Sequence, residues 1–103
     1  RLALMKEEAY LINTARGAHI DESSLLEFLR EKKIAGAALD VFEREPLLTE
    51  GLADLDNITL LPHLGSANYE TRAAMATMSA RSIIDYFAKR EPANVLNREA
   101  LKL

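Results

Sequence analysis

The sequence contains no cysteine, so it can form neither a disulfide nor a thiolate metal site, which is compatible with a reducing cytosol. It has no excess of positive charge: its formal net charge of −3 disfavours a nucleic-acid partner. No apolar run approaches the roughly 20 residues that span a bilayer. We therefore expect a cytoplasmic protein that binds no metal, membrane or nucleic acid.

With 103 residues the chain is long enough for one small domain but not for two full ones. It begins without methionine, and residues 2–8 have the composition of the end of a helix. We expect the chain to be a segment of a longer protein.

Three short apolar runs, at residues 10–12, 34–39 and 58–61, predict strands. The first is predicted to be covered on both faces, the second consists of small residues, and the third is predicted to be buried. A helix capped by Asp21 and ending near Lys33 is predicted between the first two runs. A long helix over about residues 68–90 follows the third, with Met75 and Met78 predicted to pack in a core. This alternation indicates an α/β fold with a parallel sheet.

Each apolar run is followed by polar residues that can do chemistry. Arg16 follows the first run, Asp40 and Glu45 follow the second, and His63 follows the third. Ligands of parallel sheets bind beyond the carboxyl ends of the strands, so these side chains are predicted to share one site.

The chemistry of these side chains suits the reduction of a 2-oxo acid. The guanidinium of Arg16 can clamp a carboxylate, and Glu45 can orient a protonated His63 that acts as an acid. Asp40 can accept a hydrogen bond from the carboxamide of a nicotinamide ring. Taken singly, each has a plainer interpretation: Arg16 as an ion-pair residue, Asp40 as a loop cap, Glu45 as solvated and His63 as structural.

Three motifs, NTARG, DVFEREP and PHLGS, occur in that order and resemble the D-isomer-specific 2-hydroxyacid dehydrogenase family. The resemblance covers nearly the whole chain and implies reversible hydride transfer between NAD or NADP and a small 2-oxo or 2-hydroxy acid. It implies that Arg16 binds the substrate carboxylate, Glu45 partners the histidine and His63 is the acid/base residue. It assigns cofactor contacts to a larger set of residues: Ala15, Arg16, Asp40, His63 and Gly65.

The same resemblance implies the second half of a Rossmann-type parallel sheet with flanking helices, plus a long C-terminal helix. Residues 1–65 would be the C-terminal half of the NAD(P)-binding domain, and residues 66–103 the helix and tail that return toward the substrate domain. The family's G-x-G-x-x-G loop is absent from this sequence. We therefore expect an unpaired sheet edge and an isolated chain that binds cofactor poorly.

The segment after His63 looks most like the glyoxylate and hydroxypyruvate reductase branch, and we expect a homodimer. Two alternatives remain open at this stage. One is a cofactor-sensing, corepressor-like binding protein of the same fold, and the other is an autonomous half-fold that assembles with itself.

Overall fold

The computed structural model describes residues 1–100. The chain divides into two compact units, Arg1–Gly65 and Ser66–Leu103. Among the described residues, no helix is both long enough and apolar enough to cross a membrane. The N-terminal stretch forms a single 3-10 turn at Leu2–Leu4 instead of the longer helical segment predicted there.

The first unit is built on a parallel sheet of three strands: β1 (Tyr10–Asn13), β2 (Gly36–Leu39) and β3 (Ile58–Leu60). The strands lie in sequence order, with β2 in the centre. The predicted α/β fold with a parallel sheet is therefore confirmed. β2 is shorter than the predicted strand because its ladder with β1 begins only at Gly36.

The helix α1 (Glu22–Arg30) connects β1 to β2 and packs on one face of the sheet. Its leucines at positions 25 and 29 are at most 1% exposed and lie in one core cluster with Ile34, Ala37 and Leu39. The predicted N-cap is confirmed, since the Asp21 carboxylate accepts the amide of Ser24 at 3.0 Å. The start of α1 therefore lies just beyond the loop that carries Arg16.

The prediction that β1 is covered on both faces is wrong, and so is the prediction that β3 is buried, since its central residue Thr59 is exposed. Tyr10 and Ile12 are 72% and 70% exposed, whereas Leu11 packs against the core cluster. Side chains alternate along a strand, so only one face of β1 meets α1. Among the described strands β1 pairs with β2 alone, which gives the sheet the open edge that the sequence predicts.

Both helices end earlier than predicted, and for the same reason. α1 ends at Arg30, and the next turn places Lys32 in the left-handed region with φ 54°. The amide of Lys33 then donates to the carbonyl of Phe28 at 2.9 Å, which closes a Schellman motif. Lys89, at φ 57°, occupies the equivalent position after the long helix. Glycine usually marks such an end, and lysine gives no such signal.

The second unit contains the long helix α2 (Tyr69–Phe87). It begins where the side chain of Asn68 accepts the amide of Thr71 at 2.7 Å. The prediction that Met75 and Met78 pack in a core is wrong here, because they are 54% and 50% exposed. The helical periodicity of the sequence predicts which face of α2 is apolar but not what covers that face.

Candidate active site

Glu45 and His63 meet in a direct hydrogen bond. Glu45 lies in the loop after β2, His63 lies in the turn after β3, and their Oε2 and Nδ1 atoms are 2.8 Å apart. Both side chains remain partly open to solvent, with 37% and 47% of their surface exposed. The polar residues that follow two neighbouring parallel strands are thus brought together at the carboxyl end of the sheet.

The second carboxylate oxygen of Glu45 is fixed by the loop in which Glu45 lies. Oε1 accepts the amide of Phe42 at 3.1 Å, so the carboxylate is held from both sides. The pKa of Glu45 is lowered, first by the hydrogen bond with His63 and then by that from Phe42. Electrostatic attraction to His63 and to Arg16 also lowers this pKa. Glu45 is therefore ionised at neutral pH and oriented toward the imidazole.

Asp40 is a buried cap for the turn that carries His63. Its side chain is at the end of β2 and only 5% exposed. Its two oxygens accept the amides of Leu64 and Gly65 at 2.6 and 2.8 Å. His63 directly precedes these two amides, and its backbone is left-handed, with φ 56°. The loop-cap interpretation of Asp40 describes these contacts, and its nicotinamide contact stays a prediction.

Arg16 and Ala15 lie in an exposed loop that is shaped by Asn13. Asn13 is buried at the end of β1, where its Nδ2 donates to the carbonyl of Arg16 at 2.8 Å. Its Oδ1 accepts the amide of Ala15 at 3.1 Å. One guanidinium N–H of Arg16 donates to the carbonyl of Ala15 at 2.6 Å, out of the five that a guanidinium carries.

The loops of Arg16 and Glu45 pack directly against each other through Gly17. A Cβ atom added to Gly17 would overlap the backbone of Phe42 and Glu43. Sequence reasoning missed this role of Gly17, and it also missed the buried residues Asn13 and Glu22. The one available signal was a glycine directly after Arg16 in a sequence with only four glycines.

An apolar cleft of about 310 Å³ opens beside the Glu45–His63 pair. Its walls come from the loop after β2, the last residue of β3 and the turn after β3: Phe42, Glu45, Pro46, Leu48, Leu60, Leu61, Pro62 and His63. A hydrophobic wall with two polar groups at one end is typical of a pocket for a small molecule. Among the described residues no group of three or more acidic or histidine side chains could hold a metal ion.

Comparison with known protein families identifies the family of the chain. Residues 1–65 match the model of the D-isomer specific 2-hydroxyacid dehydrogenase, NAD binding domain. The chain belongs to this dehydrogenase family. The predicted family is therefore confirmed. Because the matched model is an NAD-binding domain, the predicted nicotinamide cofactor is confirmed as well.

Individual members of the family resemble the chain along most of its length. A glyoxylate reductase from Pyrococcus furiosus is 48% identical over 103 residues, covering 100% of this chain and 31% of that protein. The crystal structure of an NADPH-dependent glyoxylate/hydroxypyruvate reductase from Sinorhizobium meliloti, in complex with NADP and malonate, superposes with a TM-score of 0.81 at 41% identity. It covers 84% of this chain and 27% of that one.

A glyoxylate reductase from Paecilomyes thermophila is similar as well, with a TM-score of 0.88 at 37% identity. It covers 95% of this chain and 30% of that one. These neighbours confirm the predicted Rossmann-type fold with its long helix. The chain spans only 27% to 31% of the length of these three relatives.

Proposed function

We propose that this chain is part of an oxidoreductase that transfers a hydride between NAD(P)H and a small 2-oxo acid such as glyoxylate or hydroxypyruvate. The observation that carries the proposal is the 2.8 Å hydrogen bond between Glu45 and His63, which unites a carboxylate and an imidazole at the carboxyl end of the sheet. The similarity to glyoxylate reductases supports the choice of substrate class.

In this proposal His63 exchanges a proton with the oxygen on C2 of the substrate. Its Nδ1 is engaged by Glu45, so Nε2 is the ring nitrogen left to meet that oxygen. The ionised Glu45 stabilises the imidazolium and fixes the plane of its ring. In the reduction of a 2-oxo acid His63 therefore acts as the acid, and in the reverse reaction as the base.

Arg16 binds the carboxylate of the substrate. Its guanidinium is exposed and uses one N–H on the carbonyl of Ala15, which leaves other N–H groups to form the paired bonds that a planar carboxylate accepts. Its loop packs at Gly17 against the loop that carries Glu45, and its charge lowers the pKa of Glu45. One site can then hold both ends of a small 2-oxo acid.

NAD or NADP would supply the hydride when bound. The residues of this chain fit its nicotinamide end: Ala15 and Gly65 lie in the exposed loops after β1 and β3, on either side of Asp40. Each oxygen of Asp40 accepts one backbone amide and has a second lone pair for a carboxamide. The sequence has no G-x-G-x-x-G loop for the pyrophosphate, which supports the proposal that residues 1–65 are half of the cofactor domain.

The remaining assignments follow from the same proposal. Residues 66–103 would return toward the substrate domain, and the isolated chain would be inactive because the pyrophosphate loop is missing. We place the whole enzyme in the cytoplasm as a homodimer. The apolar residues exposed on β1 and on α2 would be covered by the remaining parts of the enzyme or by the second subunit.

The proposal is tested by the oxidation of NADPH and of NADH by the full-length protein, with glyoxylate, hydroxypyruvate or pyruvate as the acceptor. We expect turnover with at least one acceptor and a fall of about 100-fold or more in kcat for His63→Ala. The control is His19→Ala, which removes the second, exposed histidine and should keep wild-type activity. Absence of turnover with every acceptor would favour the cofactor-sensing binding protein.

A further inference from the structure

Glu22 is a buried carboxylate that has no part in the proton transfer described above. It is the first residue of α1 and is only 2% exposed. Oε1 accepts the amide of Glu43 at 2.7 Å, and Oε2 accepts the hydroxyl of Thr49 at 2.6 Å. A buried carboxylate is stable only if its oxygens are hydrogen-bonded, and both of these bonds come from the loop after β2.

That loop is the one that carries Glu45. Two successive amides near its start are fixed by carboxylates: the amide of Phe42 by Glu45 and the amide of Glu43 by Glu22. The backbone of Gly17 also packs directly against that of Phe42, with no room for a Cβ atom. The path of the loop is therefore set by Gly17 in the Arg16 loop, by Glu22 at the start of α1 and by its own Glu45.

We infer that Glu22 is a positioning residue, which holds the loop after β2 so that Glu45 reaches His63 within range of Arg16. This inference rests on the proposed function. Glu22 is bonded at both oxygens to the loop, so it acts on the reaction only through the position of Glu45. A displacement of about 1 Å in such a group can lower a rate by about 100-fold.

The test uses the full-length protein with Glu22→Gln, which keeps the size of the side chain but turns one acceptor into an N–H donor. We expect kcat to fall by about 10- to 100-fold, while KM for the 2-oxo acid stays within about twofold because the bonds of Asn13 that shape the Arg16 loop do not involve Glu22. Glu27→Gln makes the same change on the exposed surface of α1 and should leave both constants unchanged.

The same substitution in a Glu45→Ala protein distinguishes a positioning role of Glu22 from a general loss of structure. In a Glu45→Ala protein, Glu22→Gln should lower kcat no further, because its route to the reaction is already gone. An equal further loss in that background, or wild-type kcat for Glu22→Gln alone, would overturn the inference. If Glu45→Ala itself kept wild-type kcat, the proposed function would fail, and this inference with it.

Thr49→Val keeps the inference testable if Glu22→Gln does not fold. The change preserves the shape of the side chain and removes the hydroxyl that donates to Oε2 of Glu22. We expect a smaller fall in kcat than for Glu22→Gln, again absent in the Glu45→Ala background. A folded Thr49→Val protein with full kcat would then decide against the inference.

Discussion

Asp40 joins the end of β2 to the turn after β3, because its carboxylate accepts the amide of Gly65 at 2.8 Å as well as that of Leu64 at 2.6 Å. His63 directly precedes these two amides. The buried carboxylate and the exposed imidazole therefore belong to one structural unit, in which the first fixes the backbone that presents the second.

Asp40→Asn is predicted to destabilise the protein by about 1–3 kcal/mol. The amide side chain has a single oxygen and would turn N–H donors toward one of the two backbone amides, leaving that amide without an acceptor. Denaturant unfolding measures the change. Asp56→Asn is the matched control at an exposed position, and an equal effect there would show that the bonds to Leu64 and Gly65 are not the cause.

Gly17→Ala is predicted to push the Arg16 loop away from the loop after β2. The added Cβ would overlap the carbonyl of Phe42, and backbone cannot yield as a flexible side chain does. We expect a loss of about 1–3 kcal/mol in the free energy of unfolding and a lower kcat. Ala18→Ser enlarges the neighbouring exposed residue and should change neither quantity.

Lys32→Gly is predicted to stabilise the protein by about 0.5–1 kcal/mol. Lys32 has φ 54°, a conformation that glycine adopts without the steric cost of a Cβ atom. Thermal unfolding measures the change, and Lys32→Ala, which keeps the Cβ atom, should give no such gain. A glycine variant no more stable than the alanine variant would contradict the assigned helix end.

The Glu45–His63 contact is predicted to weaken in acid. The pKa of Glu45 is below its ordinary value of 4.5, so the stability it contributes is present above that value and is lost as the pH falls through the folded pKa. A carbon-13 NMR titration of the Glu45 carboxyl group measures this pKa. His63→Ala should raise it more than Arg16→Ala does, because the hydrogen bond from His63 is the largest cause of the shift.

The sequence predicted the placement of the site better than its internal contacts. Strands ending just before Arg16, Asp40 and His63 follow from short apolar runs, and parallel strands bring such ends to one edge. The bonds of Glu22 were not predicted because they join residues that are 21 and 27 positions apart in sequence. Those of Asn13 are local, but they shape the loop after β1 and are not part of the strand pattern. Periodicity within one element carries no information on such contacts.

The errors at the ends and faces of elements have physical causes too. The ends of both helices were not predicted because a lysine occupies the left-handed position after each helix, where glycine is the usual signal. The short run at residues 10–12 is apolar on both sides of the strand, and its composition cannot tell a covered face from the exposed one that carries Tyr10 and Ile12.

The most direct test of the account compares kcat for the full-length wild type, Glu45→Ala, His63→Ala and the double variant. If the two residues act as one proton-exchanging pair, each single change lowers kcat, and the double variant is no slower than His63→Ala alone. Losses that multiply in the double variant, or a single variant with wild-type kcat, would contradict the assignment of Glu45 and His63 to one catalytic pair.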